Sequence, residues 1–172
     1  MTIALYVTLL CMCEWVVAEC AQGLDLRLTA GHSGLRSIDF DLSRPPVGEP
    51  GAGNVILEES VRQLRAYFSG SLRNFTIPLD PRGTDFQKRV WRELEQIAFG
   101  EIRSYSQIAQ AIGAPKAVRA VGAANGANPL PIVVPCHRVI GSSGKLVGYG
   151  GGLPLKKRLL ELEGCNLTLF QV

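Results

Sequence analysis

Residues 104–125 read SYSQIAQAIGAPKAVRAVGAAN, and they decide what kind of fold the C-terminal half can adopt. Ser104-Tyr-Ser-Gln107 is a capping box: the serine oxygen can accept from the backbone three residues on, and the glutamine can return a bond to the cap. It predicts a short helix through Ile112, ended by Gly113 and separated by Pro115 from the next element. Residues 116–125, with Ala117, Ala120, Val121 and Ala124 at helical spacing, predict a second helix. Two short helices joined by Gly-Ala-Pro outline a helix-turn-helix whose second helix carries Lys116 and Arg119 and is lined with small residues. A tightly packed αα-hairpin fits the same pattern equally well.

Working outward, Thr84-Asp-Phe-Gln87 is a second capping box, and Phe86, Val90, Trp91, Leu94 and Ile97 form one apolar helical face behind it. Leu155, Leu159, Leu160 and Leu162 predict a closing helix with Glu163 near its end and Gly164 as its stop. The first half reads differently. Leu24, Leu26 and Leu28 alternate with polar residues, residues 31–34 supply a turn, and Leu35, Ile38 and Phe40 follow, which predicts a β-hairpin. Residues 43–53 are rich in Pro and Gly and read as a surface loop. From Asn54, Val55, Leu57, Val61, Leu64, Tyr67 and Phe68 recur at helical spacing until Gly70. The chain is therefore expected to be an α/β (α+β) protein, with a small sheet-and-helix domain over residues 1–80 and a mainly helical domain over residues 81–172.

Composition agrees with globular folding: of 172 residues, 47% are hydrophobic and 19% charged, which excludes a disordered chain or a collagen-like repeat. The net charge of +3 is unevenly placed: residues 1–80 hold 6 Lys/Arg against 9 Asp/Glu, and residues 81–172 hold 12 against 6. A basic C-terminal half suits a polyanionic partner. Five cysteines, an odd number without paired C-x-x-C spacing, argue against a disulfide framework and for a reducing compartment. Cys11, Cys13 and Cys20 lack a fourth zinc ligand at suitable spacing. The apolar run of residues 3–13 has no basic flank or cleavage site and falls short of the ~20 residues a membrane span needs. The expectation is a cytoplasmic protein without a membrane anchor, whose residues 1–20 are an edge strand, an extension or a poorly chosen start.

The chemically richest segment is residues 128–139, NPLPIVVPCHRV. Ile132, Val133 and Val134 form a β-branched run that predicts a short buried strand, leaving Cys136 at the end of a rigid element beside His137. An imidazole and Arg138 could stabilise a thiolate, the reactive form of cysteine, with a water bridging the two neighbours; a buried structural thiol is the alternative.

Pro135-Cys136-His137-Arg138-Val139, followed by Gly144, residues 148–151 (GYGG) and Glu163, resembles the active-site region of the O6-alkylguanine-DNA alkyltransferases, the methylated-DNA–protein-cysteine methyltransferases. Asp85-Phe86-Gln87, Val90-Trp91, Ser104-Tyr105 and residues 119–122 (RAVG) match in order as well. The resemblance is strong from about Arg82 to Glu163, weaker between Leu24 and Phe68, and absent over the first ~20 residues. It implies a ribonuclease-H-like N-terminal domain, a winged-helix-like helix-turn-helix in the C-terminal one, and no cofactor or metal.

The same resemblance implies roles. Cys136 would attack the alkyl carbon on O6 of guanine, possible O4-alkylthymine activity being left open, and keep the group irreversibly. His137 would activate it through a water, with Glu163 orienting the imidazole. Asn128 would brace the turn, and Tyr105 would donate toward N3 of the departing guanine. Arg119 would enter the duplex from the minor groove as the base turns outward, on a helix whose Ala117, Ala120 and Ala124 suit close approach. Val118 stands where a second alanine is expected and adds bulk there. Lys116, Lys145, Lys156 and Lys157 are candidates for phosphate contacts. Pro131 and Tyr149 would wall the base pocket, backbone groups near Cys136 and Val139 would read the guanine edge, and Gly150 stands where some relatives carry serine. The implied partner is alkylated double-stranded DNA, bound by a monomer, with cooperativity along DNA left open. A cysteine hydrolase and a non-enzymatic DNA-binding regulator are the competing classes; the first would turn over, and the second has no use for a reactive cysteine.

Overall fold

In a computed structural model, which describes residues 13–165, the first half builds a four-stranded sheet with one helix across it. The strands are β1 (Glu14–Ala21), β2 (Leu24–Ala30), β3 (Leu35–Asp39) and β4 (Glu49–Pro50), in the order β3-β2-β1-β4. The β1–β2 and β2–β3 pairs are antiparallel, and β4 runs parallel to β1. The predicted hairpin is thus β2–β3. Residues 14–21, expected at an edge or in an extension, instead form an interior strand; the rest of that expectation, residues 1–12, lies outside the described residues. The glutamates at positions 14 and 19 hid it, because both lie among partly exposed positions of a strand whose burial does not alternate cleanly.

Helix α1 (Val55–Phe68) starts where Asn54 Oδ1 accepts from the amides of Ile56 and Leu57, and it buries Leu57, Leu64 and Tyr67. Arg27 is buried on β2 because the chain beyond β3 folds over it: its guanidinium donates to the carbonyls of Arg44 (2.6 Å) and Asp41 (3.3 Å).

The second half contains α2 (Asp85–Leu94), β5 (Arg103–Ser104), α3 (Tyr105–Ala111), α4 (Val118–Gly126), a 3-10 turn (Cys136–Arg138), β6 (Val139–Ile140) and α5 (Gly152–Leu162). Both capping boxes form, at Thr84 and at Ser104. Trp91 on α2 is buried and its indole N–H donates to Ala124 O at 2.8 Å, which fixes α2 against α4. Two predictions shift. Helix α4 begins at Val118, so Lys116 lies in the preceding turn. Residues 132–134 form no strand: Pro131 and Val134 bridge across a tight turn in which Ile132 has φ 75°. Pro129, Pro131 and Pro135 remove the N–H donors a ladder needs, and Asn128 replaces them, donating to Val134 O (2.8 Å) and accepting from Leu130 N (3.0 Å).

The sheet unit and the helical unit share one core, in which Leu26, Leu57 and Leu64 join Val90, Leu94, Ile108, Val121 and Leu159. The amide of Ile38 on β3 donates to Pro129 O at 2.8 Å, so the sheet also braces the turn that leads to Cys136. Among the described residues, no helix is long and apolar enough to cross a membrane.

Candidate active site

Cys136 opens the 3-10 turn, 4% exposed, at the floor of a cavity of about 440 Å³. Pro131, Tyr149, Gly150 and Asn128 line that cavity with it, as expected for a base pocket. Ile38, Phe40, Asp41 and Arg44, all from the first half, complete the opposite wall. Phe40 packs on Tyr149 with ring centroids 5.7 Å apart, and Tyr149 meets the His137 ring edge-on at 6.3 Å. A Cβ at Gly150 would meet nothing within 4 Å, whereas at Gly151 it would press on the Leu155 side chain, so position 150 has room for a side chain and position 151 takes one only if Leu155 shifts.

Burial pushes the Cys136 thiol up to about 11, a trend only partly offset by a hydrogen bond from Asn128, the charge of Lys156 and the nearby backbone N–H groups. The resting thiol therefore carries its proton at neutral pH and needs a base. His137 is fully buried, and its Nε2 lies 2.9 Å from Glu163 Oε1. Burial would raise the Glu163 carboxyl, but hydrogen bonds from His137 and Arg138, together with their charges, overcome it and hold the group at about 2. An ionised carboxylate can only accept, so Nε2 carries the hydrogen and Nδ1 of the neutral ring is left with a lone pair. Burial lowers the His137 pKa more than Glu163 raises it, which keeps the ring neutral. Among the described residues, Nδ1 is buried without a hydrogen-bond partner, so it makes no direct bond to the thiol.

Arg138 does not face the thiol. Its Nε and Nη2 grip Glu163 at 2.8 Å each, and Nη1 donates to Ile97 O. Sequence reasoning missed Tyr67, the last buried residue of α1, whose hydroxyl donates to Glu163 Oε1 at 2.6 Å across 96 residues of chain. Its helical spacing marked it as core, and nothing local to it signals a buried carboxylate.

Other expected residues separate by position. Arg119 and Ala120 are exposed on α4, and Arg119 makes no ion pair among the described residues; Lys116 is exposed in the turn, with Ala117 half-buried. Ala124 points inward, leaving Ala120, Ala123 and, at the helix end, Gly126 as the exposed small residues, with Val118 36% exposed beside them. Tyr105 is half-buried at the start of α3 and does not line the cavity; burial and the nearby Cys136 raise its pKa and keep its phenol protonated. The Val139 backbone is already partly engaged: its N–H donates to Cys136 O, and its carbonyl accepts one bond, from Lys156. Lys156 is no phosphate ligand. It is fully buried, with Nζ 2.7 Å from the carbonyls of Val139 and Val147 and 3.4 Å from Gly148 O. Its place in a charged pair, Lys156-Lys157, made it look like solvent-facing helix surface. Lys145 and Lys157 are exposed.

Residues 25–81 match the ribonuclease-like domain of 6-O-methylguanine DNA methyltransferase, and residues 85–165 match the DNA binding domain of the same family. The methylated-DNA–protein-cysteine methyltransferase of Mycobacterium tuberculosis is 59% identical over 126 residues, covering 71% of this chain and 74% of that protein. The protein of the same name from Methanosarcina barkeri is 49% identical over 143 residues, covering 81% and 90%. Among solved structures, the M. tuberculosis O6-methylguanine methyltransferase superposes with a TM-score of 0.80 at 46% identity, covering 93% of this chain and 100% of that one. The M. tuberculosis OGT in complex with DNA gives 0.77 at 48% identity, covering 93% and 99%. With Cys136, His137 and Glu163 joined in one buried site, these likenesses place the chain in the methylated-DNA–protein-cysteine methyltransferase family.

Proposed function

We propose that this protein repairs alkylated duplex DNA by direct reversal, moving the alkyl group from O6 of guanine onto Cys136 once and irreversibly. The observation that carries the reading is the bare, buried Nδ1 of His137, on a ring kept neutral by burial and oriented by an ionised Glu163, next to a thiol at the floor of a base-sized cavity. The thiol proton passes through a bridging water to Nδ1, and Sγ attacks the alkyl carbon in line with O6. The S–C bond forms as the C–O6 bond breaks. Guanine leaves with its ring charge eased by a hydrogen bond toward N3 from Tyr105, which stands outside the cavity lining but near enough to Cys136 to feel its charge, and regains a proton at N1, which balances the one held by His137. The thioether has no good leaving group, so water does not restore the enzyme.

Helices α3 and α4 act as the helix-turn-helix of a DNA-binding domain beginning near residue 81, with residues up to 80 forming the sheet domain. Arg119, exposed and unpaired among the described residues on a helix face of small side chains, fills the space of the base turned outward. Lys116, Lys145 and Lys157 remain available to phosphates. Cavity and relay come from one chain, which supports action as a monomer, and three free cysteines, Cys20, Cys136 and Cys165, support a reducing, cytoplasmic setting. Incubation with DNA carrying labelled O6-methylguanine tests the reading. One label per protein molecule, recovered on the Cys136 peptide, is expected; label in free methanol, or several methyl groups removed per molecule, would overturn it.

A further inference from the structure

We infer that Tyr67, in the N-terminal domain, is a positioning residue for the transfer reaction, holding the Glu163 carboxylate so that His137 stays a neutral base. The inference rests on the reading above. Three donors converge on one carboxylate oxygen: Tyr67 Oη at 2.6 Å, Arg138 Nη2 at 2.8 Å and His137 Nε2 at 2.9 Å. The other oxygen accepts from Arg138 Nε at 2.8 Å and from the amide of Gly100 at 3.3 Å. A carboxylate so gripped cannot rotate, and its Oε1 lone pairs are shared out.

Tyr67 is fully buried, with its ring set against Phe68, Phe75 and Phe99 at centroid distances of 5.3, 5.5 and 6.1 Å. Burial and the Glu163 charge both oppose ionisation of the phenol, so Tyr67 acts only as a donor. That matters for His137. A carboxylate with a free lone pair is a stronger partner for an imidazolium than one already satisfied by a phenol and a guanidinium. Tyr67 and Arg138 thus draw negative charge away from the Nε2 side and keep the proton affinity of the ring low. The charged and titratable groups facing His137 are few: Glu163 at the end of α5, Lys156 within α5, Arg138 and Cys136 on its own turn, and Tyr149 from the loop before α5. Cys165 faces Glu163 from behind.

The test is the pH profile of single-turnover methyl transfer, measured alongside the NMR titration of the His137 ring. The chain has 2 histidines, and the other, His32, is exposed, so the buried His137 ring is the signal to follow. Tyr67→Phe keeps the ring and removes the donor. Its acid limb and its His137 titration should move together to higher pH, slowing transfer about three- to tenfold at a fixed pH on that limb while leaving the alkaline rate within about twofold. Site-specific 3-fluorotyrosine at position 67, a stronger donor that leaves the packing in place, should move both to lower pH and serves even where Tyr67→Phe fails to fold. A purely structural Tyr67 would lower thermal stability and move neither titration, which overturns the inference. Wild-type protein that takes up no methyl group overturns instead the reading on which the inference rests.

Discussion

Lys156→Met separates what the structure says of this residue from what its sequence position suggests. The ammonium bridges three carbonyls, two of them at 2.7 Å, and ties β6 and the loop before α5 to the helix that carries Glu163. Hydrogen bonds to a charged group contribute about 1.5–3 kcal/mol each, and an orphaned buried acceptor costs about 1–3 kcal/mol. Val139 is completely buried, so its carbonyl is orphaned in the variant, whereas Val147 is 40% exposed and water can replace the bond there. Part of the loss is returned, because burial disfavours the charge that methionine removes and brings the ammonium down to about 8. The net expectation is a loss of about 2–3 kcal/mol, or about 4–12 °C in Tm for a chain of this size. Urea unfolding should show a lower midpoint at an unchanged slope. DNA affinity measured against salt should keep its slope, whereas loss of a phosphate contact would reduce that slope by about 0.9. Wild-type stability combined with a reduced salt slope would refute the buried placement and restore Lys156 to the DNA surface.

Cys136→Ala should bind O6-methylguanine duplex with near-wild-type affinity and take up no label; residual stoichiometric transfer would mean another acceptor. Arg119→Ala should slow repair in duplex DNA by at least about tenfold while leaving reaction with the free base unchanged, and equal losses on both substrates would contradict insertion into the helix. Acid unfolding should report Glu163. Its folded carboxyl sits at about 2 against an ordinary 4.5, so its contribution of about 3 kcal/mol is complete above pH 4.5 and is lost as the pH falls toward 2. His137, lowered by burial, adds a loss of the same sign beginning below its ordinary 6.5. Glu163→Gln should flatten the acid limb and, by leaving Arg138 buried without its counter-charge, destabilise the protein by about 3–5 kcal/mol at neutral pH. An unchanged acid limb would show that other carboxylates govern it.

Local signals in the sequence carried the helices well. Thr84 and Ser104 cap as their boxes require, Gly113 and Pro115 end α3 where expected, and Asn54 starts α1. Cys136 and His137 stood out as candidates because they are adjacent, whereas Glu163 entered only through the family resemblance; the fold brings Glu163 to 2.9 Å from His137. Long-range satisfaction was not legible. Ile132 has the β-branched profile of a strand residue, yet it takes a left-handed backbone because prolines and Asn128 dictate the hydrogen bonding around it. Lys156 looks like surface until three carbonyls from elsewhere surround it, and Tyr67 looks like core until a carboxylate 96 residues away meets its hydroxyl. In each case the deciding partner is a backbone group or side chain brought in by tertiary folding, and periodicity carries no trace of it.

The burial of Cys136 bears on how long an unreacted molecule lasts. A thiol that can be used once must survive every electrophile and oxidant it meets before its lesion. Folding moves Cys136 from an ordinary 9.0 to about 11 and leaves it 4% exposed, which cuts its thiolate fraction at neutral pH about a hundredfold relative to the unfolded chain. Stray alkyl halides and peroxides therefore meet a sheltered, protonated sulfur, which an alkyl carbon reaches by entering the cavity that Cys136 lines. Chemical selectivity in this protein is thus partly a matter of storage: the fold keeps its single reagent inert until the substrate itself completes the site.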